Sequence, residues 1–152
     1  MNKNPNESKS VLAQVMLPSH ANPSGNVHGG EIMKMMDACG SVAATRHAKK
    51  NVVTVRVDEL VFYTPISVGH LVTCTSKPIF VGRSSIEVKV EVKVEDFMIG
   101  EEKVALKAIF TYVALDDHGK PSAIPGLVLT DESEKKDYEL GLARYRDRKK
   151  NQ

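Results

Sequence analysis

Gly29 and Gly30 stand at the head of a helical repeat, and Asp37 follows seven residues after the second glycine. The first amides of a helix have no intrahelical acceptor and lie at the positive end of its dipole, and glycine lets a carbonyl come close to them. The Gly30 amide is therefore a candidate donor to a developing oxyanion, and Asp37 a candidate acid or base. Plainer readings stand beside these. Paired glycines also let a loop turn tightly into a helix, and a lone Asp can be structural, bonded to nearby backbone or to Ser41.

Spacing adds a constraint. Seven residues of α-helix rise by about 10.5 Å, whereas both groups must act within about 3 Å of one carbonyl. One helix places them badly for the same reacting group. Two helices packed antiparallel about a two-fold axis would bring Asp37 of one chain to the Gly30 end of the other, giving two equivalent shared sites. Gly40, Ser41 and Ala44 are small enough to permit that approach.

The elements that must hold these residues follow from periodicity. Ile32, Met35, Met36, Cys39, Val42 and Ala43 recur at helical spacing from Glu31 onward. The opposite side carries Met33, Asp37, Gly40, Ser41 and Ala44, with no ordinary solvated face, so burial nearly all round is expected. VLAQVML (11–17) reads as a first strand, and PSHANPSGNVHGG (18–30) as a long loop. Four further strands are expected over 52–62, 70–81, 84–96 and 102–116. The third alternates most cleanly, Ile86, Val88, Val90, Val92 and Val94 on one face and Glu87, Lys89, Glu91, Lys93 and Glu95 on the other, the pattern of a half-buried antiparallel strand. After residue 130, Asp131 and Glu134 suggest a capping box opening a surface helix with a frayed, basic end. The class is α+β, an antiparallel sheet curled around one long helix.

Bulk properties narrow the rest. A chain of 152 residues suits one domain, and 21 basic against 19 acidic side chains give no indication of nucleic-acid binding. Cys39 and Cys74 have no metal-ligand or CxxC spacing and read as small core residues. The polar start over 1–9 is expected to be disordered, ahead of a domain over 10–127 and a helix with a basic tail over 128–152. With no apolar run of a signal peptide and none of about 18 apolar residues, a soluble cytoplasmic protein without membrane partners is expected.

The stretch ANPSGNVHGG (21–30) followed by EIMKMMD resembles the hot-dog-fold acyl-CoA thioesterases, in the bacterial acyl-CoA hydrolase branch related to the mammalian cytosolic enzymes. VVTVRVDELVFYTPISVGH and VGRSSIEVKVEV are similar to that family's second strand and hairpin, so the resemblance covers about residues 11–117. It implies hydrolysis of the acyl-CoA thioester to fatty acid and CoA, with no metal and no cofactor beyond the CoA of the substrate. It also implies a homodimer joined edge to edge as the minimal unit, and often three dimers in a homohexamer.

The same resemblance assigns roles within the loop. Asn22 would orient the attacking water or the carbonyl, with Asn26 as the competing choice and plain loop capping open for both. His28 borders the substrate, as a base or as a packing residue, next to Gly29. Gly82, Arg83, Ser84 and Ser85 offer a guanidinium, two hydroxyls and loop amides to the phosphates of CoA, or form an ordinary exposed hairpin. The tail over 144–150, with five basic residues and one Asp, could attract CoA phosphates or simply be solvated. Met33, Met35 and Met36 suit either an acyl tunnel or core filling. Two rival readings are a hot-dog hydratase or dehydratase, and an acyl-CoA sensor without turnover.

Overall fold

The valine ladder of the third long strand sets the two faces of the sheet in the computed structural model, which describes residues 2–151. The elements are β1 (Ser10–Val15), α1 (Gly29–Ala48), β2 (Asn51–Phe62), β3 (Leu71–Val81), β4 (Ser85–Asp96), β5 (Glu101–Leu115) and α2 (Glu132–Lys150). Short 3-10 helices occupy Pro5–Ser8 and Pro18–His20. The strands form one antiparallel sheet in the order β1-β3-β4-β5-β2, so β2, which directly follows α1, crosses to the far edge.

Ile86, Val88, Val90 and Val92 are fully buried, and with Leu106, Phe110 and Tyr112 of β5 they pack on Ile32, Met36, Cys39 and Ala43 of α1. This is the inner face. Helix α1 stops at Ala48 because Lys49 adopts a left-handed backbone (φ 57°) and its amide closes on the Thr45 carbonyl at 2.8 Å. Cys39 and Cys74 are free thiols inside this core.

The outer face is covered as well. Ile79, Phe80 and Ile109 pack against Tyr138, Leu142 and Tyr145 of α2. A side chain at Gly141 would put its Cβ 2.5 Å from the Phe80 Cβ, so α2 sits flush only because this position is bare. Gly141→Ala is expected to lower stability by about 1–3 kcal/mol through this overpacking, although alanine is the better helix former. Chemical denaturation with a stability equal to or above the parent would count against it.

Beneath α2 lies Glu87, only 2% exposed, paired with Arg144 at 2.7 Å and Arg148 at 2.6 Å. The basic end of the chain is thus partly consumed in pairing a buried carboxylate, rather than being a solvated tail. Such a pair needs both partners, because one charge left alone in the interior is strongly destabilising. At the other end of α2, Asp131 accepts from the Glu134 amide at 2.8 Å, but Glu134 turns back to the Thr130 amide, also at 2.8 Å, so only half of the expected capping box forms.

Two further expectations differ from the structure. The leader expected to be disordered over 1–9 is packed over its described residues: Asn4 and Glu7 cap the 3-10 helix reciprocally, Ser8 is buried, and Asn4 donates to Val128 and Glu134. Its polar side chains bond to α2 and the segment before it instead of building an apolar core, which composition does not register. Helix α1 is also not buried all round: Lys34, Ala38, Thr45 and Arg46 are exposed in the single chain.

Edge strand β2 leaves Val53, Val55, Val61 and Phe62 between 43% and 56% exposed. A long apolar edge with unpaired backbone groups is a surface for another strand. Among the described residues no helix is long and apolar enough to cross a membrane.

Candidate active site

Asp37 leaves the middle of α1 towards the end of the sheet where β5 meets β2. Thr54 and Tyr112 are cross-strand partners there, on the inner face. The Thr54 hydroxyl donates to Asp37 Oδ1 at 2.6 Å, and the Tyr112 hydroxyl lies 3.2 Å from the same oxygen and 3.0 Å from the Asp37 carbonyl. Asp37 Oδ2 accepts no hydrogen bond among the described residues, and the residue is only half-buried. One carboxylate oxygen is anchored and the other is open to an incoming group.

Burial, then the charge of Asp37 and the bond to it, push the Tyr112 phenol far above its usual range, so the hydroxyl stays protonated and donates. Gly40 makes this contact possible, because a Cβ there would collide with the Tyr112 hydroxyl. The expectation that Gly40 and Ala44 lighten the helix for a partner is corrected: both are buried within their own chain. Ser41 donates to the Ala38 carbonyl at 2.9 Å and does not bond to Asp37.

Thr54 and Tyr112 escaped the sequence reading because a Thr and a Tyr in strands look like ordinary β-formers. The available signal was parity, since Tyr112 falls on the inner face. Tyr112→Phe removes one donor to a charged group without changing the ring. We expect kcat to fall about tenfold or more with KM little altered. A kcat within threefold of the parent, or loss of the folded state by circular dichroism, would assign the hydroxyl to packing.

The loop before α1 orients Asn22. Its Oδ1 accepts from the Ser24 amide at 3.0 Å, the Ser24 hydroxyl at 2.7 Å and the Asn26 amide at 3.2 Å. Backbone amides only donate, so the carbonyl end of the side chain faces the loop and the NH₂ end is left to donate outward. Asn26 is exposed and bridges to Ser67. The two asparagines are thus parts of one turn, in which Asn22 has the held side chain.

His28 is the N-cap of α1 without a side-chain cap bond, and it is exposed. Gly29 and Gly30 are therefore the first two helical residues, whose amides have no intrahelical acceptor. A Cβ at Gly30 would meet nothing within 4 Å, so the chain does not crowd this residue's side-chain direction, while one at Gly29 would touch Phe62 at 3.6 Å. Within one chain, Gly30 and Asp37 remain two helical turns apart.

Gly82, Arg83, Ser84 and Ser85 form the β3–β4 turn, closed by the Gly82 amide on the Ser85 carbonyl at 2.9 Å. Arg83, Ser84 and Ser85 line a separate cleft, and none of the four turn residues bonds to Asp37. Among the methionines, Met36 is wholly core, whereas Met33 and Met35 pack at its margin.

The thioesterase superfamily pattern matches residues 24–100, from the loop through α1 to the tip of the β4–β5 hairpin. This chain belongs to the thioesterase superfamily. Its hot-dog architecture, a five-stranded sheet around α1, is that of the superfamily's solved members.

An acyl-CoA thioester hydrolase of Haemophilus influenzae, itself uncharacterized, is 44% identical over 128 residues, covering 81% of this chain and 83% of that protein. The cytosolic acyl coenzyme A thioester hydrolase of Mus musculus is 38% identical over 150 residues, 95% of this chain but 39% of its own length. The chain thus spans about two fifths of that longer relative. The acyl-CoA hydrolase of Staphylococcus aureus, solved with butyryl-CoA, CoA and CoA disulfide, superposes with a TM-score of 0.89 at 31% identity, covering 99% of this chain and 92% of that one. That thioesterase has also been solved with alanine replacing an Asn, an Asp and a Thr.

Proposed function

We propose that this thioesterase hydrolyses acyl-CoA to a free carboxylic acid and CoA, with Asp37 of one chain and the Asn22–Gly30 loop end of a second chain acting on one thioester. The observation that carries the reading is the half-anchored carboxylate: Oδ1 is held by Thr54 and Tyr112 while Oδ2 is free. The three alanine variants of the Staphylococcus aureus enzyme support it, because their Asn, Asp and Thr are separated by the same intervals as Asn22, Asp37 and Thr54.

In the chemistry this supports, the substrate carbonyl lies on the free amide of Gly30 and the outward NH₂ of Asn22. Asp37 Oδ2 takes a proton from water as the water oxygen bonds to the carbonyl carbon. Negative charge forms on the carbonyl oxygen, where the two donors stabilise it. Collapse breaks the carbon–sulfur bond, and the proton on Asp37 passes to the leaving thiolate. Direct attack by Asp37 would instead give a mixed anhydride that water opens; where water attacks its Asp37 carbon, single turnover in ¹⁸O-water leaves label in the Asp37 side chain, which water activation never does.

Pairing of β2 with β2 of a second copy covers the exposed apolar edge and makes the homodimer. A thioesterase of the same family with 38% identity to this chain is described as hexameric with broad specificity, which supports three such dimers in this protein. We place its action in the cytoplasm, in keeping with the cytosolic mouse relative. His28, Gly29 and Asn26 border the acyl-CoA, and no cofactor other than the substrate's CoA takes part.

The test is release of free thiol from a panel of acyl-CoA chain lengths. Hydrolysis across the panel is the expected result. Tight binding without thiol release would mark a sensor, and water addition or loss without thiol release a hydratase or dehydratase. Either would overturn the reading.

A further inference from the structure

Strand β2 does not alternate regularly. Thr54 pairs with Tyr112, Val57 with Phe110 and Phe62 with Leu106, and the register breaks between Thr54 and Arg56 and again between Asp58 and Val61. Tyr112, Phe110 and Leu106 all belong to the core on the α1 face, so their partners Thr54, Val57 and Phe62 point to that face too. An unbroken strand could not do this, because the intervals of three and five residues are odd and would send successive members to opposite faces. At the second break Glu59 holds a left-handed backbone (φ 52°), a strained conformation for a residue with a side chain. Bulges of this kind re-aim a side chain, and here the bulge returns Phe62 to the α1 face.

Helix α1 meets this row at both ends. At one end the Thr54 hydroxyl donates to Asp37 at 2.6 Å, and at the other the Phe62 ring lies 3.6 Å from where a Cβ on Gly29 would stand. Gly29, Met33 and Asp37 follow one another at four-residue spacing on one side of the helix. Met33 and Val57 thus hold the middle positions of the two elements. Val57 and Phe62 are 36% and 56% exposed and Met33 is half-buried, so the strip is accessible in the single chain. None of these three side chains carries a strong hydrogen-bonding group.

We infer that Phe62 is a specificity-determining residue of this thioesterase, the wall on which the acyl chain packs as it leaves the reacting carbonyl. The inference rests on the reading that the Gly30 amide receives that carbonyl. Phe62 lies against Gly29, the adjoining residue, so a carbonyl on the Gly30 amide sets the next acyl carbons beside the ring. A thioester of CoA has two arms. The pantetheine arm carries two amides that need polar partners, whereas the acyl arm carries none, and Met33, Val57 and Phe62 suit only the second. An acetyl group is too short to cover the ring, while a butyryl group adds two methylenes that the ring shields from water. The ring therefore sets the preference between short and longer acyl groups, and the strained bulge is what positions it.

Steady-state kinetics of the assembled protein with acetyl-CoA and butyryl-CoA test it. Phe62→Ala is expected to shrink the butyryl-to-acetyl ratio of kcat/KM about tenfold, the discrimination usual for one or two methylenes in an apolar site, with Phe62→Leu between variant and parent. Val61→Ala is the control. Val61 pairs with Lys107, on the opposite face of the same edge strand, so its removal should leave the ratio as in the parent. Phe62 is more than half exposed, so Phe62→Ala should fold, which circular dichroism checks, while size-exclusion chromatography checks its assembly. Should it fail to assemble, Phe62→Leu carries the same test. A ratio unchanged or raised in the folded, assembled Phe62 variant overturns the inference, and so does an equal loss of ratio in Val61→Ala. If the parent cleaves neither thioester, the function reading fails, and the same ratio taken from calorimetric affinities for the uncleaved acetyl-CoA and butyryl-CoA still decides the role of Phe62.

Discussion

Asp37→Asn is expected to lower kcat about 10²- to 10⁴-fold, the contribution usual for a positioned acid or base. The substitution is chosen for what it keeps. Asparagine has the same shape, and its carbonyl can still accept from Thr54 and Tyr112, so the anchor between α1 and the β5–β2 end of the sheet persists. It removes the negative charge and the basic Oδ2. Because that oxygen has no partner among the described residues, no buried donor is orphaned, and thermal stability should change little. Steady-state kinetics with a folded variant checks it. A kcat within threefold of the parent would reduce Asp37 to a structural residue of the helix.

A mixed dimer of Asp37→Asn and Asn22→Ala chains should recover about half the parent activity, although each homodimer is nearly inactive. If the sites are shared, one of the two in the mixed dimer carries both lesions and the other carries neither. If each site were built within one chain, every site would carry one lesion and no recovery would occur. The geometry favours sharing, since the Gly30 amide and Asp37 are about 10.5 Å apart along one helix and no fold of that helix shortens the distance. Asn22→Ala also unties the turn that Oδ1 holds, so loss of function in that homodimer would combine a missing donor with a displaced loop. Tagged chains purified as verified mixed dimers are needed, and activity at the homodimer level there would refute sharing.

The sequence by itself determined what depends on local periodicity. Alternating Val and Glu or Lys over β4 can satisfy only a sheet with one face on the α1 core, and the structure buries Ile86 through Val92 as that pattern requires. The paired glycines before a helical repeat, and Asp37 as the one carboxylate beyond its first turn, marked Gly30 and Asp37 as candidates, and the resemblance then favoured a functional over a structural Asp. The loop residue Asn22 entered through resemblance, and only its bonds showed which end of the amide is free.

Tertiary structure decided everything that rests on side chains meeting across long sequence distances. Thr54 and Tyr112 converge on Asp37 from two strands, and Gly40 is small for the sake of Tyr112 rather than of a partner helix. Composition made 1–9 look disordered, yet its polar groups bond to the start of α2 and the segment before it, because hydrogen-bonding partners far along the chain leave no local signature. The basic end of α2 likewise looked solvated, until Glu87 on the outer face of β4 proved to be buried beneath it. A period reports which face a residue occupies, but only the packed chain reports what occupies the space above that face.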